Sequence, residues 1–94
     1  MDIFKGENEK LLVSAIMSLK NEKECRAFLE DIMTTKEIID ISQRMGVVKM
    51  LDEKQPYGAI SKATGASTTT ISRVNRCYQY GSGGYRTVLG RLKK

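Results

Sequence analysis

The residues of this 94-residue chain best equipped for chemistry are hydroxyls and cations packed into one short stretch. Ser67, Thr68, Thr69, Ser72, Arg73 and Arg76 lie together, and Lys62 stands just ahead of them. On a helix, Thr68, Thr69, Ser72, Arg73 and Arg76 share the exposed face. Short hydroxyls and methyls can meet base edges in a major groove, and cations can meet phosphate. Thr68, Thr69 and Ser72 are therefore the candidates for base contact, and Lys62 and Arg76 for phosphate. Ser67, as the cap of that helix, and Arg73 complete the candidate DNA-binding set.

Other chemistries lack their residues. The chain has no histidine, so imidazole acid–base catalysis and histidine triads are excluded. Cys25 and Cys77 lie far apart without metal-ligand spacing and read as reduced, small hydrophobes. No catalytic residue, metal site or required cofactor is expected. Gly81-Ser82-Gly83-Gly84 follows a helical pattern rather than a strand, which makes it a hinge or helix stop, not a phosphate loop.

Charge is unevenly distributed. From Lys54 to Lys94 there are eight Lys/Arg and no Asp or Glu; from Met1 to Glu53 there are eight Lys/Arg against eleven Asp/Glu. The net +5 is thus +8 joined to −3. A basic face on a helical hairpin points to double-stranded DNA as the partner. The alternative is a protein-interaction module, whose basic hairpin meets an acidic protein surface without DNA.

These side chains need a scaffold, and the pattern is helical nearly throughout. Glu7 to Lys20 carries Leu11, Leu12, Val13, Ile16, Met17 and Leu19 on more than one face, so a second subunit is expected to cover it. Asn21 and Glu24 form a capping box ahead of a helix bearing Cys25, Phe28, Leu29, Ile32 and Met33. Thr34 and Glu37 repeat the device for a third helix through Ile38, Ile41, Met45, Val48 and Leu51. Gly46 in its middle suggests a close helix approach. Pro56 precedes a fourth helix, from about Tyr57 to Thr64. Gly65 permits a left-handed turn, Ser67 caps a fifth helix, and Ile60, Ile71, Val74 and Cys77 or Tyr78 form the buried stripe. Residues 57–78 thus read as a helix-turn-helix. A last basic helix, Tyr85 to Lys93, packs through Val88, Leu89 and Leu92, while Arg86, Arg91, Lys93 and Lys94 extend the positive field.

The length allows one domain, in which residues 1–53 supply dimerisation helices, 57–78 the helix-turn-helix and 85–94 a basic C-terminal helix. No apolar run reaches the roughly 18 residues of a membrane span, and the start, MDIFKGENEK, shows no signal peptide. A cytoplasmic protein with no membrane partner is expected.

The run from Phe28 to Tyr78 resembles the Trp repressor superfamily, and more closely its YerC/YecD-like branch. The resemblance is strongest at Met33-Thr34-Thr35-Lys36-Glu37, Gln43-Arg44 and residues 65–73. It implies an all-α, six-helix, intertwined homodimer acting as a transcriptional repressor. It also implies a small-ligand cleft at Thr34, Arg44 and Arg73, where the family holds a tryptophan corepressor between two arginines. Val74 stands where Trp repressor has glycine, which argues against tryptophan and leaves any small-molecule effector unassigned. Arg44 and Arg73 are then expected to pair with acids of the third helix or with DNA phosphate. Gly58 replaces an operator-reading arginine, so the target sequence is not carried over.

Overall fold

A computed structural model describes residues 2–93; Lys94, one of the expected field-extending cations, lies outside them. Six helices follow in order: α1 Glu7–Ser18, α2 Glu22–Ile32, α3 Thr35–Asp52, α4 Tyr57–Thr64, α5 Thr68–Tyr80 and α6 Gly84–Leu92. No strand occurs among the described residues, and residues 68–72 are helical, behind the extended N-cap Ser67, despite their β-favouring threonines. The chain divides into two compact units, Met1–Thr35 and Lys36–Lys94.

The N-terminal unit holds α1 and α2, and neither helix buries a residue. α1 stops at Ser18, two residues short of the expected Lys20, and its last turn is closed by Leu19 N–H on the Ile16 carbonyl. Competition for Lys20 explains the early stop: its N–H donates to the Glu24 carboxylate at 2.9 Å, while Asn21 Oδ1 accepts from Glu24 N–H at 2.9 Å. The capping box therefore forms with its return bond one residue earlier than the usual pattern. Met33, expected inside α2, is its extended C-cap. Leu11, Leu12 and Ala15 of α1 and Phe28 and Ile32 of α2 line an open apolar groove.

In the second unit, Val47 and Val48 of α3, Ile60 of α4, Ala66, Ile71, Val74 and Tyr78 of α5 and its turn, and Leu89 of α6 form one buried cluster. Tyr78, not Cys77, completes the stripe of α5; Cys77 is exposed. α6 contributes Leu89, with the half-buried Tyr85 packed against the cluster, whereas Val88 and Leu92 are 44% and 70% exposed. Tyr85 and Leu89, four residues apart, face inward and Val88 and Leu92 do not, which corrects the expected stripe of Val88, Leu89 and Leu92.

The end of α3 has a feature with no sequence signal. Gln55 N–H bonds the Met50 carbonyl and Lys54 N–H the Leu51 carbonyl, each at 3.0 Å. This paired closure needs a left-handed residue, and Lys54 supplies it at φ 62° although glycine is the usual occupant. Gly46 approaches α4 without crowding: a methyl built there would meet Thr64 Cγ2 at an ordinary 3.6 Å.

Candidate nucleic-acid interface

The α4–turn–α5 segment is built by its own sequence. Gly65 adopts φ 76° and donates its N–H to the Ser61 carbonyl at 2.8 Å, ending α4. Ser61 Oγ donates to the Ala66 carbonyl at 2.8 Å, and Thr64 Oγ1 to the Ile60 carbonyl at 2.7 Å. Thr64 Oγ1 also accepts Ala66 N–H. Ser67 Oγ accepts Thr70 N–H at 3.1 Å and starts α5. From α3, Gln43 Nε2 donates to the Thr64 carbonyl at 3.2 Å, and Asn75 Nδ2 of α5 donates to Tyr57 Oη at 3.1 Å. The turn is therefore held by hydroxyls that belong to it, while Ile60, Ile71 and Val74 are buried beneath.

That burial orients α5. Ser67, Thr68, Thr69, Ser72, Arg73 and Arg76 are all exposed, as is Lys62 on α4. Among the described residues no carboxylate forms an ion pair with Lys62, Arg73 or Arg76. Helical geometry groups Thr68, Thr69, Ser72 and Arg76 on one outward strip and puts Arg73 at its margin. Beyond that margin Arg73 and Arg44 line a cleft of about 190 Å³ together with Thr70, Val74, Cys77 and Tyr85. Thr34, the third residue expected at a ligand cleft, directly precedes α3 and is counted with the N-terminal unit. Thr70, Cys77 and Tyr85 join the cleft without being among the expected residues. The i, i+3, i+4, i+7 spacing of Thr70, Arg73, Val74 and Cys77 is the available signal for the first two, and nothing in the sequence marks Tyr85. Among the described residues neither Arg44 nor Arg73 forms an ion pair with an acid of α3, which corrects that half of the expectation and leaves DNA phosphate as the other expected partner.

Not all of the C-terminal cations stand free. Lys93 forms an ion pair with Asp52 at the end of α3, and Tyr78 Oη donates to the other Asp52 oxygen at 2.5 Å. Arg86 lies 4.2 Å over the Tyr78 ring and donates through Nε to the Tyr78 carbonyl. Lys93, then Tyr78, hold the Asp52 carboxyl below its ordinary value, and Asp52 in turn raises both Lys93 and Tyr78. Arg86 and Lys93 therefore secure α6 instead of simply extending an outward field. Gly58, near the start of α4, is exposed and a side chain there would meet nothing. Among the described residues no group of three His, Cys, Asp or Glu side chains could hold a metal ion, and no helix is long and apolar enough to cross a membrane.

The sequence profile described as Trp repressor protein matches residues 7–93. Protein YerC of Bacillus subtilis (strain 168) is 43% identical over 94 residues, covering all of this chain and 90% of its own. A solved structure of a TrpR-like protein from Eubacterium eligens is 48% identical, with a TM-score of 0.91 over 96% of this chain and 93% of that one. A candidate Trp repressor from Staphylococcus aureus is 40% identical, with a TM-score of 0.91 over 99% and 95% of the two chains.

Proposed function

The chain belongs to the Trp repressor family, a family of non-catalytic regulators, and from that premise we propose that it is a homodimeric, sequence-specific DNA-binding repressor. The observation that carries the reading is the outward strip of α5. Thr68, Thr69, Ser72 and Arg76 are exposed there, and the opposite side of the helix is fixed in the core through Ile71, Val74 and Tyr78. α4 and α5 act as a helix-turn-helix, with α5 in the major groove and its N-terminal hydroxyls at the base edges. Lys62, Arg73 and Arg76 neutralise phosphates and release counterions, so affinity falls steeply with salt.

The dimer is supported by Leu11, Ile16, Met17 and Ile39, which are 67%, 52%, 79% and 61% exposed in the single chain. Covering them with a second copy removes a large apolar surface from water. Two heads then meet half-sites about 34 Å apart, one turn of the duplex. No corepressor is required in this reading, because the branched Val74 closes the floor of the Arg44–Arg73 cleft. Selection from a randomised duplex pool at moderate salt, without added metabolite, tests it. A palindromic motif is expected. No enrichment, together with nuclease-resistant capture of a protein partner, would replace DNA by a protein as the ligand.

A further inference from the structure

The turn between α4 and α5 is closed largely on itself. Ser61, Thr64 and Ala66 exchange hydrogen bonds within residues 60–66, and Gly65 supplies the left-handed backbone. Those bonds fix the shape of the turn but not where it stands on the rest of its unit. Ile60 and Ala66 share the apolar cluster with Val47 of α3, and apolar burial is non-directional. Among the described residues, one hydrogen bond reaches the turn from outside α4 and α5: Gln43 Nε2 of α3 donates to the Thr64 carbonyl at 3.2 Å.

Thr64 is the last residue of α4, so its carbonyl finds no acceptor role inside the helix, and Gln43 satisfies it. A methyl built at Gly46, one turn further along α3, would meet Thr64 Cγ2 at 3.6 Å. One face of α3 therefore flanks both the backbone and the side chain of Thr64. Thr68 and Thr69, the exposed residues that open α5, follow directly after the turn. A hydrogen bond is directional, so the one from Gln43 sets how the start of α5 stands on α3.

We propose that Gln43 is a positioning residue that determines specificity: through the Thr64 carbonyl it fixes the pose in which Thr68 and Thr69 meet base edges, and it does not touch DNA itself. The inference rests on the DNA-binding reading. Phosphate attraction through Lys62, Arg73 and Arg76 carries no sequence information and tolerates a change of pose, whereas base-edge contacts do not. Losing the tie should lower sequence preference and leave non-specific affinity in place.

Gln43→Met removes the donor at similar volume, and Gln43→Asn keeps an amide but draws it back by one carbon. The Gly65 amide shares a peptide unit with the Thr64 carbonyl, so its nitrogen resonance reports the bond without DNA. Both variants should shift the resonances of Gly65, Thr68 and Thr69 and leave that of Leu89 unmoved. Kd is then measured on a selected duplex and on its scrambled control, at one salt concentration and well below the unfolding temperature. The ratio of the two should fall about two- to tenfold per reading head, the range of one neutral hydrogen bond, with the scrambled Kd unchanged. A merely structural part would lower the unfolding temperature and leave the ratio of the folded protein alone. An unchanged ratio in both variants, or an unmoved Gly65 resonance, would overturn the inference while the DNA reading stands. So would an equal loss on both duplexes, which would make Gln43 a phosphate contact. A wild type with no preference among duplexes would remove the DNA reading and this inference with it.

Discussion

Replacing Lys54 by glycine should stabilise the fold, because the closure of α3 holds a side-chain-bearing residue in the left-handed region. Both closing bonds are well formed, at 3.0 Å from Gln55 to Met50 and from Lys54 to Leu51, and they require the left-handed φ at Lys54. A Cβ in that conformation costs about 1–2 kcal/mol. Glycine removes this cost but brings a more flexible unfolded chain, which offsets part of the gain. A net stabilisation of about 1 kcal/mol follows, or roughly 4–8 °C in Tm for a domain of this size. Charge is a confounder, since Lys54 begins the basic half of the chain. Lys54→Ala separates the two effects: it removes the ammonium yet keeps the Cβ. Lys54 takes part in no ion pair among the described residues, so alanine should leave stability near that of the wild type. Urea unfolding followed by far-ultraviolet circular dichroism gives the comparison, at one fixed protein concentration because dimer dissociation shifts apparent stability. Glycine and alanine variants of equal stability, or a glycine variant below the alanine one, would refute the backbone argument.

Three further predictions use the same structure. Gly46→Ala should raise stability by about 1 kcal/mol in thermal or urea unfolding, the helix-propensity difference, because the added methyl makes only ordinary contact with Thr64; a loss would mean that another surface, such as a second subunit, approaches Gly46. Arg76→Ala should weaken binding to all duplexes alike and reduce the salt slope by about 1, whereas Thr69→Ala should flatten preference among sequences; titrations on selected and scrambled duplexes separate them, and identical profiles would remove the division of roles. Asp52→Asn should be less stable than the wild type at neutral pH, and the gap should close on acidification. The sign follows from the lowered Asp52 pKa: its contribution is present above the ordinary value of 3.8 and is lost as pH falls through the lower folded value. A gap that persists unchanged into that acid range would show that ionisation of Asp52 is not what stabilises the site.

Local signals made the second unit's motif legible. Gly65, Ser67, Pro56 and the Ile60–Ile71–Val74 stripe each act within a turn or two of chain, and the observed caps and burial follow them. Asn21 was legible for the same reason, although Glu24 closes on Lys20 instead of Asn21. Long-range contacts had no such signal. The Tyr78–Asp52 bond spans 26 positions, and neither residue carries a pattern that would select the other. The basic composition of the C-terminal half likewise hid that Lys93 is paired across the chain with an acid of the N-terminal half. Val88 and Leu92 have the spacing of an inward stripe, but α6 is turned so that Tyr85 and Leu89 meet the core instead. Lys54 was opaque because left-handed residues are ordinarily read from glycine or asparagine. Charge changes character after Glu53, whereas packing divides the chain after Thr35, so composition and packing mark different boundaries.

Val74 links stability and site shape at one position. Its side chain is 4% exposed and belongs to the core, yet it also lines the cleft between Arg44 and Arg73. A smaller residue would enlarge the cleft only by removing core volume, and buried methyl groups are costly to delete. Gly58 shows the opposite case, an exposed position in open space where a side chain meets no other group. Change at Gly58 is therefore free to alter what α4 presents to a partner, whereas change at Val74 must be compensated in the core. The two departures from Trp repressor carry different weight for that reason. Val74 is locked into the packing beneath α5, while Gly58 can change and leave the scaffold as it is.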